Sequence, residues 1–236
     1  MVVILQGNPT NSKTTLHSNM KDVIIIGAGG HAAEIDEYIM YSQEVKGTRE
    51  LNVIGFLDDN PDNYHRYQFS APLIGAIRNY NVKEGQCFII GIANLNYRRF
   101  FTERFLSQGG VFLSFFHYSA YISKSAIIGE GTVIGPNVNI GPNVTVGKYT
   151  LINSRSSLGH DTVLGDYNFI SPNVCFSGFT NVGEQNLFGI NSATIPGISI
   201  GNNNKIAAGM IIDKNIGDYA TVFHKFKERV IAVPKN

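Results

Sequence analysis

The 236 residues include only two cysteines, carry almost no net charge and contain no long apolar run. Cys87 and Cys175 have no metal-ligand spacing and no second pair, so they read as buried or semi-buried thiols in a reducing compartment. A formal charge of +1 without a basic cluster disfavours a nucleic-acid or membrane-surface partner. No apolar stretch approaches the length of a membrane span. The leading segment MVVILQGNPTNSKTTLHSN has an apolar start but neither a basic n-region nor a small-residue cleavage site, so a signal peptide is not expected. Met20 stands just before KDVIIIGAGG, and residues 1–19 are read as an N-terminal extension of a cytoplasmic protein. With 43% hydrophobic and 16% charged residues, the chain has the composition of an ordered globular protein.

Two rhythms divide what is there. Residues 20–118 alternate strand and helix patterns. DVIII (Asp22–Ile26) is a β-branched apolar run, GAGGH a glycine-rich turn, and AAEIDEYIMYS has helical spacing with Ile35, Ile39 and Met40 apolar. NVIGFLDDN and QCFIIGIAN predict two further strands, NYRRFFTERFLSQGG a helix stopping at Gly109–Gly110, and VFLSFFH another short strand. Repeated strand-then-helix order implies a small parallel sheet, with ligands at the carboxyl ends of its strands.

From Ile122 the period becomes six. Steps of six visit Ile122, Ile128, Ile134, Ile140, Val146, Ile152, Leu158, Leu164, Ile170, Phe176, Val182, Phe188, Thr194, Ile200, Ile206 and Ile212, and every one but Thr194 is large and apolar. Glycine often follows directly, as at 129, 135, 141, 147, 159, 165, 183, 189 and 201, and the fourth position on is mostly small or β-branched. Neither a helix nor a simple strand keeps a register of six, whereas a hexapeptide β-helix does. Each hexapeptide makes one strand and one corner of a triangular coil, with the apolar residue stacked inside. The expected reason for the glycine is a corner backbone that needs it.

This register, with IIIGAGGHAAEI, FLDDN and GHDTVLGDY, resembles the sugar O- and N-acetyltransferases among the left-handed β-helix acyltransferases. Sialic acid O-acetyltransferase and the bacterial acetyltransferases of nucleotide-linked 4-amino-sugars typify that group, and the resemblance runs from Met20 to about Asn215. The fold class it implies is α/β plus β. A Rossmann-like nucleotide-sugar-binding domain (20–118) precedes a left-handed parallel β-helix of hexapeptide repeats (119–217), and 218–236 form a C-terminal cap. It further implies a homotrimer with acetyl-CoA in the groove between neighbouring β-helices and no metal. His160 then matches the catalytic base, Asp161 its acidic partner, Asn153 an asparagine beside the base, and Gly178 the glycine whose amide faces the thioester oxygen. Ile190, Ala207, Ala208 and Gly209 match the wall and backbone contacts of the pantetheine arm. The sequence departs from the family at Phe169, where a second histidine is usual, so a polar acetyl contact is either missing or moved, with neighbouring Asn168 the candidate for it. The usual closing motif at the C-terminus is replaced by VFHKFKERVIAVP.

The chemistry suits these residue types. Acetyl transfer to an amine needs a base, and a histidine with an unperturbed pKa near 6.5 serves at neutral pH. A carboxylate neighbour fixes its tautomer, and a backbone amide can stabilise the oxyanion. His160 stands two residues after the inward Leu158, which places it at a corner and facing outward. Gly27-x-Gly29-x-x-Ala32, with Asp58 ending the second strand, also fits a dinucleotide fingerprint. An α/β part of about one hundred residues is half of a full dinucleotide fold, so the turn is read as cradling the diphosphate or sugar of a nucleotide-sugar rather than NAD. Gly27, Gly29, Gly30, His31, Asp58, Asp59, Gly91, Ala93 and Asn94 would line that pocket. Arg98 and Arg99 are candidate phosphate partners or simply an exposed helix face.

The leading expectation is an acetyl-CoA-dependent N-acetyltransferase acting on a UDP- or dTDP-linked amino-sugar in surface-glycan biosynthesis, by direct attack. The alternatives are O-acetylation of a sugar hydroxyl or of serine, a β-helix zinc enzyme disfavoured by a single histidine in the repeat region, and a non-catalytic sugar sensor.

Overall fold

The computed structural model describes residues 20–224, so the expected extension 1–19 and most of the expected cap 218–236 lie outside the described residues. The N-terminal part is a five-stranded parallel sheet in the order β3-β2-β1-β4-β5. Its strands are β1 (Lys21–Ile26), β2 (Leu51–Leu57), β3 (Leu73–Gly75), β4 (Cys87–Ile90) and β5 (Val111–Phe112). Helix α1 (Gly30–Lys46) follows β1, the short α2 (Pro61–Tyr64) follows β2, and α3 (Leu95–Ser107) follows β4. The order reverses between β1 and β4, which is where open parallel sheets form their ligand crevice. Val23, Ile24, Ile25 and Ile26 are all buried, as a strand covered on both faces requires. Among the described residues no helix is long and apolar enough to cross a membrane.

The segment expected as one strand, VFLSFFH, is split. Val111–Phe112 closes the α/β sheet, and Phe115–Phe116 opens a second architecture of two-residue parallel strands. These strands form three sheets around one interior. The first face has seven strands from Phe115–Phe116 to Thr221–Val222, the second six from Tyr121–Ile122 to Ile211–Ile212, and the third five from Ile127–Ile128 to Ser199–Ile200. Pairing is between residues one coil apart, Ile134 with Ile152 and Ile140 with Leu158 among them. Ile134, Ile140, Val146, Ile152, Leu158, Leu164 and Ile170 stack in a single buried core, and each full burial of such a side chain contributes about 1.5–3 kcal/mol.

The glycines after the inward residues have a different cause from the expected one. None of those at 129, 135, 141, 147, 159, 165, 183, 189 or 201 has a positive φ. From Gly131 to Gly209 the left-handed residue of each corner is the third after the inward residue, at Asn137, Asn143, Tyr149, Asp161, Tyr167 and Asn173 among others. The glycine is demanded by the next coil instead: a Cβ on Gly129 would lie 2.6 Å from Lys148 N and 2.7 Å from Gly147 C.

The first face is covered by the α/β domain. Leu113, Phe115, Val133 and Leu151 share a buried cluster with Val23, Ile25, Ile35 and Phe56, while Tyr149 and Tyr167 pack with Ile26, Phe88, Phe101 and Phe105. Arg98 joins the two parts. It is fully buried, and donates from Nε to Tyr149 O (3.0 Å) and from Nη1 to Ile90 O (3.2 Å) and Ile92 O (3.1 Å). Burial pushes its guanidinium down to about 9. The expectation of Arg98 as a phosphate partner is therefore corrected, because its charge is held by carbonyls inside the domain junction. Arg99 pairs with Glu103 (2.8 Å) and Glu184 (3.4 Å), and sits 5.3 Å from the Tyr167 ring centre.

Replacing Gly129 by alanine is expected to cost about 1–3 kcal/mol through overpacking against the neighbouring backbone. Gly209→Asn, at a φ of 71 with no atom near its Cβ position, should cost under about 1 kcal/mol. Thermal midpoints of the two variants measure both, and equal shifts would contradict the steric explanation.

Candidate active site

His160 leads the corner between the second and third faces. Its imidazole is more than half exposed, with Nδ1 2.8 Å from Asp161 Oδ2. Asp161 takes the left-handed corner conformation (φ 59) and gives its N–H to Pro142 O at 2.9 Å, which fixes the carboxylate beside the ring. Asn143 Nδ2 donates to the other oxygen, Oδ1, at 3.1 Å. The bond from His160, ahead of the one from Asn143, holds the Asp161 carboxyl below the usual carboxylate range. A carboxylate on Nδ1 leaves Nε2 as the ring's free nitrogen.

Gly178 lies one coil on, directly against the imidazole. A Cβ there would come within 2.7 Å of both His160 Cε1 and Nε2, so any side chain would displace the ring. The same corner position is proline at 136, 142, 172 and 196, so the coil itself does not need the N–H that Gly178 offers. Phe179 meets the imidazole edge-on, with ring centres 5.0 Å apart. Phe179 and Asn143 escaped the sequence reading, and the signal that finds them is the eighteen-residue coil: Asn143 is eighteen before Asp161, and Phe179 eighteen after.

The other expected site residues, Asn153 beside the base and the acetyl-CoA contacts, fall elsewhere, and within one chain Asn153 is not at the His160 corner. Asn153 (8% exposed, its Oδ1 accepting from Ser154 N at 2.7 Å), Ile190, Ala207, Ala208 and Gly209 all belong to the corner between the first and second faces. Phe169 is on the covered first face, edge-on to His31 at 5.8 Å. Asn168 is a correction. It is fully buried inside the coil, donating to Gly165 O and Gly183 O at 2.8 Å and accepting from Asn186 N at 2.9 Å. The inward register position that holds threonine in the two preceding coils, at Thr132 and Thr150, holds this amide, so it cannot serve the groove.

The glycine turn closes the carboxyl end of β1. Gly27 (φ 102) runs close to Gly91, and Gly91 N donates to Ile26 O at 2.8 Å, so these loops flank the crevice between β1 and β4. Gly29 caps α1 and Gly30 begins it, and a Cβ on Gly30 would meet the Tyr67 hydroxyl at 2.9 Å. Asp58 is engaged with the turn itself: Oδ2 accepts from Ala28 N at 2.7 Å, and Oδ1 from Asn60 N and Asn63 Nδ2. Asp59 pairs with Arg78 at 3.1 Å, Ala93 is exposed, and Asn94 caps α3 by accepting from Asn96 N and Tyr97 N. His31 keeps 11% of its side chain exposed, with Nδ1 3.3 Å from Glu34 Oε2, while its Nε2 is buried and among the described residues has no partner. Among the described residues no cluster of three metal-ligating side chains occurs.

Residues 22–105 match the family described as the PglD N-terminal domain. The acetyltransferase domain of PglB from Neisseria gonorrhoeae is 27% identical, with a TM-score of 0.73, over 85% of this chain and 95% of that one. Its complex with acetyl coenzyme A aligns with a TM-score of 0.75 over 86% and 96%. PerB from Caulobacter crescentus, solved with CoA and GDP-perosamine, shares the fold at 24% identity and a TM-score of 0.72, over 85% and 92%. No curated protein sequence matches the chain.

Burial lowers the His31 pKa from 6.5, and burial likewise lowers that of His117. A histidine whose folded pKa is depressed stays neutral in the fold while the unfolded chain takes up a proton, so stability is lost as pH falls below about 6.5. Urea midpoints should drop between about pH 7.5 and pH 5.5, and His31→Gln should shrink that drop; an identical drop in the variant would remove His31 from the account.

Proposed function

We propose that this chain, a member of the hexapeptide-repeat left-handed β-helix sugar acetyltransferases, moves the acetyl group of acetyl-CoA onto the amino group of a nucleotide-linked amino-sugar. The observation that carries the chemistry is the His160–Asp161 pair, an outward imidazole held by a carboxylate directly against a side-chain-free Gly178. In the proposed reaction the sugar nitrogen attacks the thioester carbonyl carbon and a C–N bond forms. His160 Nε2 takes the proton released from nitrogen, and Asp161 stabilises the imidazolium. The Gly178 N–H receives the negative oxygen of the tetrahedral intermediate. The intermediate then collapses, the C–S bond breaks, and the imidazolium returns its proton to the departing CoA thiolate. No acyl-enzyme is involved.

The crevice between β1 and β4 is the proposed seat of the nucleotide-sugar. The N-terminus of α1 and the amides of Gly29 and Gly30 suit a diphosphate, and His31 suits the sugar side. Asp58 acts there by holding the turn closed through Ala28, and Asp59, Gly91, Ala93 and Asn94 form the rim. PerB was solved with a nucleotide-linked amino-sugar, which supports this substrate class.

The assigned residues occupy two corners of the triangle, which supports a composite site. His160, Asp161 and Gly178 are on one edge of the second face; Asn153, Ile190 and Ala207–Gly209 are on the other. A groove holding both sets needs the second corner of a neighbouring copy, which a homotrimer supplies. Exposed Tyr121, Ile127 and Ile211, each at least 60% accessible, give such packing apolar surface to cover.

The test is CoA release with a panel of UDP-, dTDP- and GDP-linked amino-sugars beside their hydroxyl counterparts. An amino-sugar is expected to be preferred, and His160→Ala should lower its kcat/KM about 10²–10⁴-fold. Wild-type turnover by the variant, or preference for a hydroxyl acceptor, would overturn the assignment.

A further inference from the structure

Thr194 is the one polar member of the inward column, and it lies behind Gly178. In the coils before it, the residue entering this corner bonds the regular ladder: Gly141 N to Leu158 O at 2.9 Å and Gly159 N to Phe176 O at 2.8 Å. At Ser177 the ladder bond is exchanged. Ser177 N donates to Thr194 Oγ1 at 3.0 Å, and Ser177 Oγ donates to Thr194 O at 2.7 Å. Cys175–Phe176 and Ala193–Thr194 keep a single register pair, where every other strand pair described in the coil keeps two.

The hydroxyls close a ring. Thr180 Oγ1 donates to Ser177 O at 2.7 Å, so its one proton is used. In the 2.8 Å contact between Thr180 Oγ1 and Thr194 Oγ1 the donor is then Thr194. The circuit runs from Ser177 N–H through Thr194 and Thr180 back to Ser177 C=O, and Thr162 Oγ1 adds a second bond to that carbonyl at 3.3 Å. Thr162 and Thr180 are fully buried and Thr194 is 5% exposed, so the circuit is inside the coil.

Ser177 C=O belongs to the same peptide unit as Gly178 N–H. No peptide in the described chain is cis, and in a trans unit the two groups point in opposite directions. Hydroxyls that draw the carbonyl inward therefore turn the Gly178 N–H outward, to the side of the His160 ring. Hydrogen bonds to a carbonyl also polarise the N–H of its amide and make it a stronger donor in a low-dielectric setting. We infer that Thr194, acting with Thr180 and Ser177, is a positioning residue that aims and polarises the Gly178 amide for the thioester oxygen. The inference rests on the acetyl transfer proposed above and adds to it a reason for the break in the apolar column: an aliphatic residue would pack as well but would leave the Ser177 N–H in the ordinary ladder and the hydroxyl circuit open.

Thr194→Val is close to isosteric, and the regular bond from Ser177 N to the carbonyl of residue 194 is available to it. The variant is expected to melt at or above the wild-type temperature and to keep its KM for acetyl-CoA. Its kcat should fall about 10- to 100-fold, a part of what loss of one oxyanion donor costs. Thr194→Ser should retain most of the rate, and Thr180→Val should reproduce the loss from the other side of the ring. With His160→Ala inactive in the same assay, a Thr194→Val kcat within about twofold of wild type per folded protein overturns the inference while leaving the proposed function standing. A fall in melting temperature with kcat unchanged in both valine variants overturns it equally. A wild type that acetylates no amino-sugar overturns the proposed function instead, and the inference with it.

Discussion

Backbone stacking between successive coils is the constraint on which the rest of this molecule depends. Parallel strands must lie about 4.8 Å apart to bond, and here each strand is only two residues long, so the corners must stack at the same spacing. That spacing leaves no room for a Cβ after the inward residue, and glycine recurs there for that reason. It also forces every corner from Gly131 to Gly209 into one conformation, so that tyrosine, arginine and phenylalanine adopt positive φ alongside asparagine. Each such residue is held by an N–H bond to the previous coil, as Tyr149 is to Glu130 O and Phe179 to His160 O.

A site built on such a frame inherits its precision. The carboxylate of Asp161, with the imidazole of His160 bonded to it, is set by a corner bond, and the peptide before Gly178 by buried threonine hydroxyls, rather than by a loop free to move. The α/β domain is fixed to the same frame by the buried Arg98, which links two carbonyls at the end of the β4 segment to a corner of the coil. Removing that side chain would leave three buried carbonyls short of a donor, which is costly in a low-dielectric interior.

The sequence was legible where structure follows a period. A repeat of six locates the inward column and puts His160 at a corner, and the strand-turn-helix pattern locates the crevice around Gly27 and Gly91. Legibility failed where a residue's role depends on three-dimensional neighbours. Arg98 and Arg99 are adjacent and look alike in sequence, yet one is buried among carbonyls and the other pairs with Glu103 at the surface. Asn168 looks available beside Phe169, but strand alternation turns it inward, into a line with Asn186 and Asn204. The reason for the glycines was misassigned because a sequence displays a residue's conformational freedom more readily than the nearness of another coil. The division of the site between two corners becomes visible only when hexapeptides are counted in threes.

That count in threes carries a consequence for how such a chain can change length. One hexapeptide more or less keeps the apolar column in register and would pass unnoticed by the core. It would nevertheless swing everything beyond it through a third of a turn, carrying each corner residue to the next corner and each face residue to the next face. Only gains and losses of eighteen residues preserve the alignment of His160 with the positions above and below it. The fold is thus permissive about how many coils it has and strict about the unit in which they are added.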